Sequence, residues 1–419
     1  MNRVLMKYTA KTMIDKANGN KLFVRVDFQH REVEVVPGIP FELTDEHTMY
    51  IIYRREITNY LHSRCEEEFF SGLAPTKDDI IFSGKLLPEY SFFHYDDYDV
   101  EHGKVYVYWV ARMAAPDAFI GPYAVKVRDE IRWMRYDTIL EKTEEFKKHD
   151  GVEVVRVGTT VQSRPLYAIL AGNRNNMIAC FGAVHAGEAG PEILLNALEN
   201  LLTNRPDLFK NAGIAILPSV NADMREEMAT GKPRYIRKNA NGVDLNRNLD
   251  ANWENPDYMY GLSSMVPKSP TYRGPYADSE PEVRAVQALI EMVKPKAVFN
   301  YHAMSGMTGD QMLSAKSGVG NTEYENKLLK FIELYHVGFR KGAPNEGDKD
   351  VRLFPDCSYG SIPEWCYLRG IPSFDLEVGG RKGYYWAEGA YDNVTPELME
   401  LCIKQHTSAL YNVLENMGK

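Results

Sequence analysis

The 419-residue chain predicts an α/β protein, a mixed, largely parallel sheet with helices on both faces, preceded by a smaller β-rich domain. Three observations predict this. Up to about residue 113, short runs rich in β-branched and aromatic residues follow one another, separated by Pro, Gly and Asp. From about 126, helix-length amphipathic segments alternate with short apolar runs. The length also exceeds that of a typical single compact domain.

The runs KLFVRVDF, EVEVV, MYIIYR, DIIFSG and KVYVYWVAR make residues 1–113 a sandwich-like accessory domain. Residues 114–125, with two Pro and a Gly, read as a linker, and 126–419 as the second domain. There, a helix is expected over 127–148, then the strand MIACFGAV ending at His185. PEILLNALENLL follows as a helix with Pro in its first turn, and GIAILPSV is a buried strand. Ser279-x-x-Glu282 reads as a capping box opening the helix PEVRAVQALIEMV. KAVFNYH is a strand, 321–339 a helix, PSFDLEV a strand and 395–416 a final helix, while 252–275 is a long surface loop. In sheets of this kind ligands gather at the carboxyl ends of strands, where His185, His302 and Glu377 fall.

Composition narrows the class. With 44% hydrophobic and 26% charged residues the chain is ordinary for a globular protein. A net charge of −9 and a pI near 5.7 argue against a nucleic-acid or anionic-membrane surface. The amino-terminal segment has no apolar run of the secretory kind, and no stretch approaches membrane-spanning length. Five scattered cysteines (65, 180, 357, 366, 402), none in a C-x-x-C pair, fit a reduced, cytoplasmic protein, although Cys357 and Cys366 are free to pair in space.

The chemistry rests on a few polar residues. His185-x-x-Glu188 straddles a strand-to-helix turn and His302 comes 114 residues after Glu188. Two His and one Glu are a zinc-ligand set that leaves one position open for water. Each motif alone is weak, since H-x-x-E is common by chance and a lone His is more often structural. Arg237 and the segment Gly242-Val-Asp-Leu-Asn246-Arg247-Asn248 are far more specific, offering two Arg to an anionic substrate. Glu377 adds a spare carboxylate for proton transfer. Asp244 reads as a group that orients a ligand or the turn, and Asp375, on the same face of its strand as Glu377, as a pocket wall.

Taken in order, these elements resemble the zinc metallocarboxypeptidase family of carboxypeptidases A and B, over roughly 150–380. The matches are His185-x-x-Glu188, Arg237 nine residues before Asn246-Arg247, His302 in NYHAMSG, Glu377 in FDLEVGG, Ser163-Arg164-Pro165, and Tyr272-x-Gly274 with Ser279-Glu-Pro-Glu282. The resemblance implies one zinc ion on His185, Glu188 and His302, with Glu377 as general base and Arg237 facing the oxyanion. Asn246 and Arg247 would clamp a free terminal carboxylate, so the implied partner is a peptide substrate. Arg164 is a candidate for an outer subsite or a surface salt bridge. The family's mobile tyrosine position, six residues before Ser361, is Pro355 here; nearby Tyr359 either substitutes for it or packs.

GSIPEW and GIPSFDLEVG also resemble bacterial relatives that cut γ-D-glutamyl–diaminopimelate bonds in cell-wall peptides, and the β domain resembles that of cytosolic carboxypeptidases. The expected activity is removal of the C-terminal residue from peptides, including such wall-derived ones. The alternatives are an N-acyl amino acid hydrolase of the aspartoacylase kind and a non-catalytic peptide-binding protein. The stretch from Tyr90 to Asp99 offers an aromatic platform or an acidic calcium loop, against the plainer reading of an aromatic packing loop, and Met304, Met307 and Met312 read as core or pocket lining.

Overall fold

The computed structural model describes residues 3–32, 48–58, 67–89, 92–129, 133–232, 236–255, 263–303, 311–342, 352–378 and 396–417. Two compact units emerge: residues 1–130 with the short segment 229–234, and 131–228 with 235–419.

The first unit is a sandwich of two antiparallel sheets. Strands β1 (Arg3–Asp15), β2 (Lys21–Glu32) and β5 (Phe92–Asp97) form one, in the order β1-β2-β5. Strands β3 (Met49–Glu56), β4 (Ile80–Lys85), β6 (Val105–Arg112) and β7 (Ala115–Lys126) form the other, in the order β4-β3-β6-β7. Strand β6 shows why the fold closes as it does. Its alternate residues Tyr106, Tyr108 and Val110 join Val26, Phe28 and Phe93 in the core between the sheets. Val107 and Trp109 point the other way, into a second cluster with Phe70.

Two boundaries differ from the sequence reading. Residues 115–125, placed in the linker, belong to β7, whose Tyr123 and Val125 are core residues. The misleading prolines, Pro116 and Pro122, sit on an edge strand where its register with β6 is irregular, and neither is a paired residue. The helix expected over 127–148 is confined to α1 (Tyr136–Glu145) and a 3-10 turn at Phe146–Lys148. Val127 is instead buried in the sandwich core, and Arg128 donates to the carbonyl of Lys232, 2.7 Å away. From Tyr90 to Asp99, Phe93 is core, while Asp96 pairs with Arg25, and Asp97 and Asp99 with Arg54. Those carboxylates are held by guanidinium groups, which accounts for the acidic run without calcium.

The second unit carries β8 (Val152–Thr159), β9 (Pro165–Gly172), β10 (Met177–Gly182), β11 (Gly213–Leu217), β12 (Val298–Ala303), β13 (Gln311–Ala315), β14 (Arg352–Cys357) and β15 (Ser373–Val378). They form one eight-stranded sheet in the order β14-β13-β15-β12-β10-β11-β9-β8. The centre, β11-β10-β12-β15, is parallel, and β8, β9 and the β13/β15 pairing supply the antiparallel part. Helices cover both faces, as the apolar central strands require. Ile178 and Cys180 of β10 join a cluster with Leu198 of α2 (Gly190–Asn204), Tyr335 of α5 (Thr322–Gly342) and Leu410 of α7 (Pro396–Asn416). Met177, Ala179 and Phe181 face Leu289 of α4 (Pro281–Val293) and Trp365 of α6 (Ile362–Tyr367). The remaining helix, α3 (Ala222–Ala229), follows β11.

The expected capping box at Ser279 is not formed. Glu280 is the N-cap of α4 with Pro281 behind it, and the Glu282 carboxylate accepts from the backbone N–H of Val161, 3.0 Å away. Cys180, Cys357, Cys366 and Cys402 are buried free thiols, so Cys357 and Cys366 do not pair. Among the described residues no helix is long and apolar enough to cross a membrane. Met312 is core, Met304 and Met307 lie outside the described residues, and so does part of the 252–275 loop.

Candidate active site

The end of β10 and the start of α2 approach too closely for side chains. A Cβ on Gly182 would lie 2.4 Å from the Pro218 carbonyl oxygen, and one on Gly190 would lie 2.6 Å from the Cα of Gly182. The intervening turn is tight, with the N–H of Glu188 donating to the carbonyl of His185 at 3.2 Å. It therefore aims both side chains at one point. His185 Nδ1 lies 2.8 Å from Glu188 Oε1. His302, from the carboxyl end of β12, brings its Nδ1 to 3.1 Å from His185 Nδ1 and 2.9 Å from Glu188 Oε2.

All three residues are buried, and one donor atom from each lies within 4.8 Å of the others. Zinc bonds of about 2.0–2.1 Å at tetrahedral angles separate ligand atoms by about 3.3 Å, close to this arrangement. The electrostatics agree. Burial opposes charge on Glu188, but the two imidazoles hold its carboxyl well below the usual range. Burial likewise opposes a charge on His302, yet Glu188 and Asp375 hold its pKa well above the ordinary value. The cluster favours positive charge at its centre, which a divalent cation supplies.

Both rings turn their far nitrogens to carboxylates. His185 Nε2 lies 3.0 Å from Asp244 Oδ1, and His302 Nε2 lies 3.4 Å from Asp375 Oδ1. Such partners fix the ring and leave Nδ1 for the metal. Asp244 also accepts from Arg237 Nε at 2.8 Å and from the backbone N–H of Asn246 at 3.1 Å. Burial works against its charge, but Arg237, His185 and Arg247 keep it ionised. Asp375, expected as a pocket wall, accepts from Asn246 Nδ2 and Asn300 Nδ2, each at 2.8 Å.

Asn246 and Arg247 sit on a 3-10 turn, Leu245–Arg247. Arg247 Nη1 donates to the carbonyl of Asn246, while its Nε is buried without a hydrogen-bond partner among the described residues. Glu377 is on β15 at the register position of His302 on β12. Burial pushes its pKa up to about 8; His302 opposes the shift, and Glu188 and Asp375 add to it.

Arg164 and Tyr359 each have a cation or carboxylate neighbour. Arg164 Nη1 pairs with the buried Asp223 at 3.0 Å, and Lys316 Nζ lies 5.5 Å from the centre of the Tyr359 ring.

The sequence profile of zinc carboxypeptidases matches residues 139–399. The chain belongs to that family. Human carboxypeptidase A6 is 26% identical over 297 residues, which cover 61% of this chain and 65% of the relative, just short of two thirds of its length. Bovine carboxypeptidase B is 30% identical over 46% of this chain and 47% of its own. Among solved structures, bovine thrombin-activatable fibrinolysis inhibitor in complex with tick carboxypeptidase inhibitor superposes with a TM-score of 0.57 at 21% identity, over 68% of this chain and 98% of the other. Carboxypeptidase A from Helicoverpa armigera gives 0.55 at 17%, over 69% and 76%. At these identities the structural likeness concerns the fold. The cofactor of the family is zinc, and the donor set of His185, Glu188 and His302 fits it.

The sequence analysis does not single out Asn300, which stands two positions before His302 on the same strand face and donates to Asp375; period two is the signal that marks it.

Proposed function

We propose that this protein is a zinc-dependent carboxypeptidase that hydrolyses the last peptide bond of peptides ending in a free carboxylate. The observation that carries the reading is the half-buried Arg247 guanidinium beside Asn246, whose buried Nε is unpaired among the described residues, in the same unit as a three-residue metal cluster. A terminal carboxylate is the bidentate partner that guanidinium geometry favours. Asn246 uses its carbonyl oxygen on the N–H of Ile362 and one amide hydrogen on Asp375. The same Nδ2 lies 3.5 Å from His302 Nε2, so the amide stands between the clamp and a metal ligand.

Bound zinc supplies a Lewis acid and lowers the pKa of water. The chain does the rest. Arg247 and Asn246 set the register so that the last peptide bond lies over the cluster. Glu377 takes the proton of the attacking water and delivers it to the departing amine. A divalent cation held by His185, Glu188 and His302 would favour the ionised form of Glu377 that this role needs. Arg237, anchored by Asp244, faces the oxygen on which negative charge develops. Arg164 and Tyr359 receive no role in the chemistry.

Within this class we include γ-D-Glu–diaminopimelate peptides, which also end in a carboxylate. Four buried free thiols support a reducing, cytoplasmic setting. The N-acyl amino acid hydrolase reading has less support, because the family match is to carboxypeptidases. The test is zinc-dependent release of C-terminal residues from a mixed peptide library containing a γ-D-Glu–diaminopimelate tripeptide, comparing wild type with Glu377→Gln. Release that disappears in the variant while zinc stays bound supports the proposal. A zinc-loaded wild type that releases nothing from the library but cleaves N-acyl amino acids overturns it.

A further inference from the structure

Behind the metal-binding turn lies a cation that the proposed reaction does not use. Arg225, on α3, is fully buried. Its Nη1 donates to the backbone carbonyls of Ala186 and Glu188, at 3.0 and 2.8 Å, and its Nε to that of Met134 at 2.8 Å. Its Nη2 pairs with Glu192 on the first turn of α2, and Glu192 in turn accepts from the N–H of Met134 at 2.6 Å. One planar guanidinium thus holds two carbonyls of the turn between His185 and Glu188, and the helix that follows it.

The chemistry of that turn makes the fork consequential. His185 and Glu188 must reach one ion from a four-residue segment, so a small rotation of the peptides between them separates their donor atoms. The carbonyls of Ala186 and Glu188 are where such a rotation would show first. A rigid donor fork restrains both together, which a flexible ammonium does not. The turn is also clasped from the other side, where the N–H of Gly187 donates to the carbonyl of Ile236 at 3.2 Å.

We propose that Arg225 is a positioning residue for the metal site: it sets the His185–Glu188 turn, so that zinc affinity depends on a side chain that touches neither the ion nor the substrate. The proposal rests on the metal-site reading above. Removing a group that orients a metal ligand typically weakens metal binding by about 10–100-fold, and that is the loss expected here.

The test is zinc affinity of the full-length protein, by competition with a chromophoric chelator, alongside urea unfolding of the zinc-free protein. Arg225→Met combined with Glu192→Gln leaves no buried charge and keeps an acceptor for the Met134 N–H, so folding is expected to persist. Zinc should bind about 10–100-fold more weakly in it. Arg225→Lys keeps the charge and its carboxylate partner but not the fork, and should give a smaller loss. Glu192→Gln alone leaves the fork in place, and should lower stability while zinc affinity stays near that of the wild type. If zinc affinity instead follows zinc-free stability across the three variants, or is unchanged in Arg225→Lys and the double variant, Arg225 has no positioning role. A wild type that binds no zinc overturns the metal-site reading and this inference together.

Discussion

Asp375 and His302 stand on adjacent parallel strands with Asp375 Oδ1 3.4 Å from His302 Nε2, and Asp375 Oδ2 takes a hydrogen bond from Asn246 Nδ2 at 2.8 Å. One buried carboxylate thus supports both a metal ligand and half of the proposed substrate clamp. Cys357 Sγ lies 3.4 Å from the same oxygen.

Replacing Asp375 should therefore damage two properties at once. In Asp375→Asn, zinc affinity is expected to fall about 10–100-fold, since His302 loses the carboxylate at its Nε2, where Asn300 Nδ2 (2.6 Å) and Asn246 Nδ2 (3.5 Å) also lie. KM should rise as well when zinc is saturating, because Asn246 loses its anchor. Chelator competition and steady-state kinetics check both. A variant altered in KM alone would mean that Asp375 serves the substrate and not His302.

Arg247→Ala should separate binding from metal chemistry. The clamp loses a charge-assisted, bidentate contact, which typically costs about 2–5 kcal/mol, so kcat/KM should drop by about 30-fold or more. Zinc affinity should stay put, because Arg247 touches no ligand side chain. The sharper readout compares a peptide with its C-terminal amide: wild type should strongly prefer the free acid, and the variant should not. Undiminished preference in Arg247→Ala would place the clamp elsewhere.

How much of this could be read beforehand depended on how local each signal was. The parallel centre of the sheet is legible because β10, β11, β12 and β15 are short, mostly apolar runs, three of them leading into the site. β7 was misread because Pro and Gly signal a joint as readily as an edge strand, and only pairing with β6 distinguishes them. His185, Glu188, Asn246 and Arg247 lie in short motifs with fixed spacings. The supports of those residues do not: Asn300 reaches Asp375 across 75 residues, and Arg225 reaches the metal-binding turn across 37 and 39. Charged side chains at such positions resemble a solvated face until the fold shows what they meet.

Gly360 is the backbone counterpart of the clamp. Its φ is +77°, and a Cβ there would lie 2.3 Å from the carbonyl oxygen of Arg247. The same residue accepts from the N–H of Leu249 at 3.0 Å and donates to the carbonyl of Ala251 at 2.8 Å. Gly360→Ala should cost about 1–3 kcal/mol of stability through strain at positive φ. Because the clash is with Arg247 itself, KM should rise while zinc affinity is kept. A variant with wild-type stability and KM would show that the two segments move apart freely.

A buried acid away from the metal should set part of the pH dependence of stability. Glu282 is buried, and burial pushes its pKa up from the ordinary 4.5 to about 7, with Glu280 adding to the shift against bonds from Val161 and Asn239. A carboxyl whose pKa is higher when folded binds its proton more tightly in the native state. Its contribution is therefore fully present below about pH 4.5 and is lost as pH rises through about 7. The shift corresponds to at most about 3 kcal/mol. Glu282→Gln removes the titration, so urea unfolding of both proteins at pH 5 and pH 8 isolates it. Wild-type stability minus that of the variant should fall between the two pH values. A difference that stays level or grows would mean that Glu282 remains ionised in the fold, with Asn239 and the Val161 N–H outweighing the cost of burying its charge.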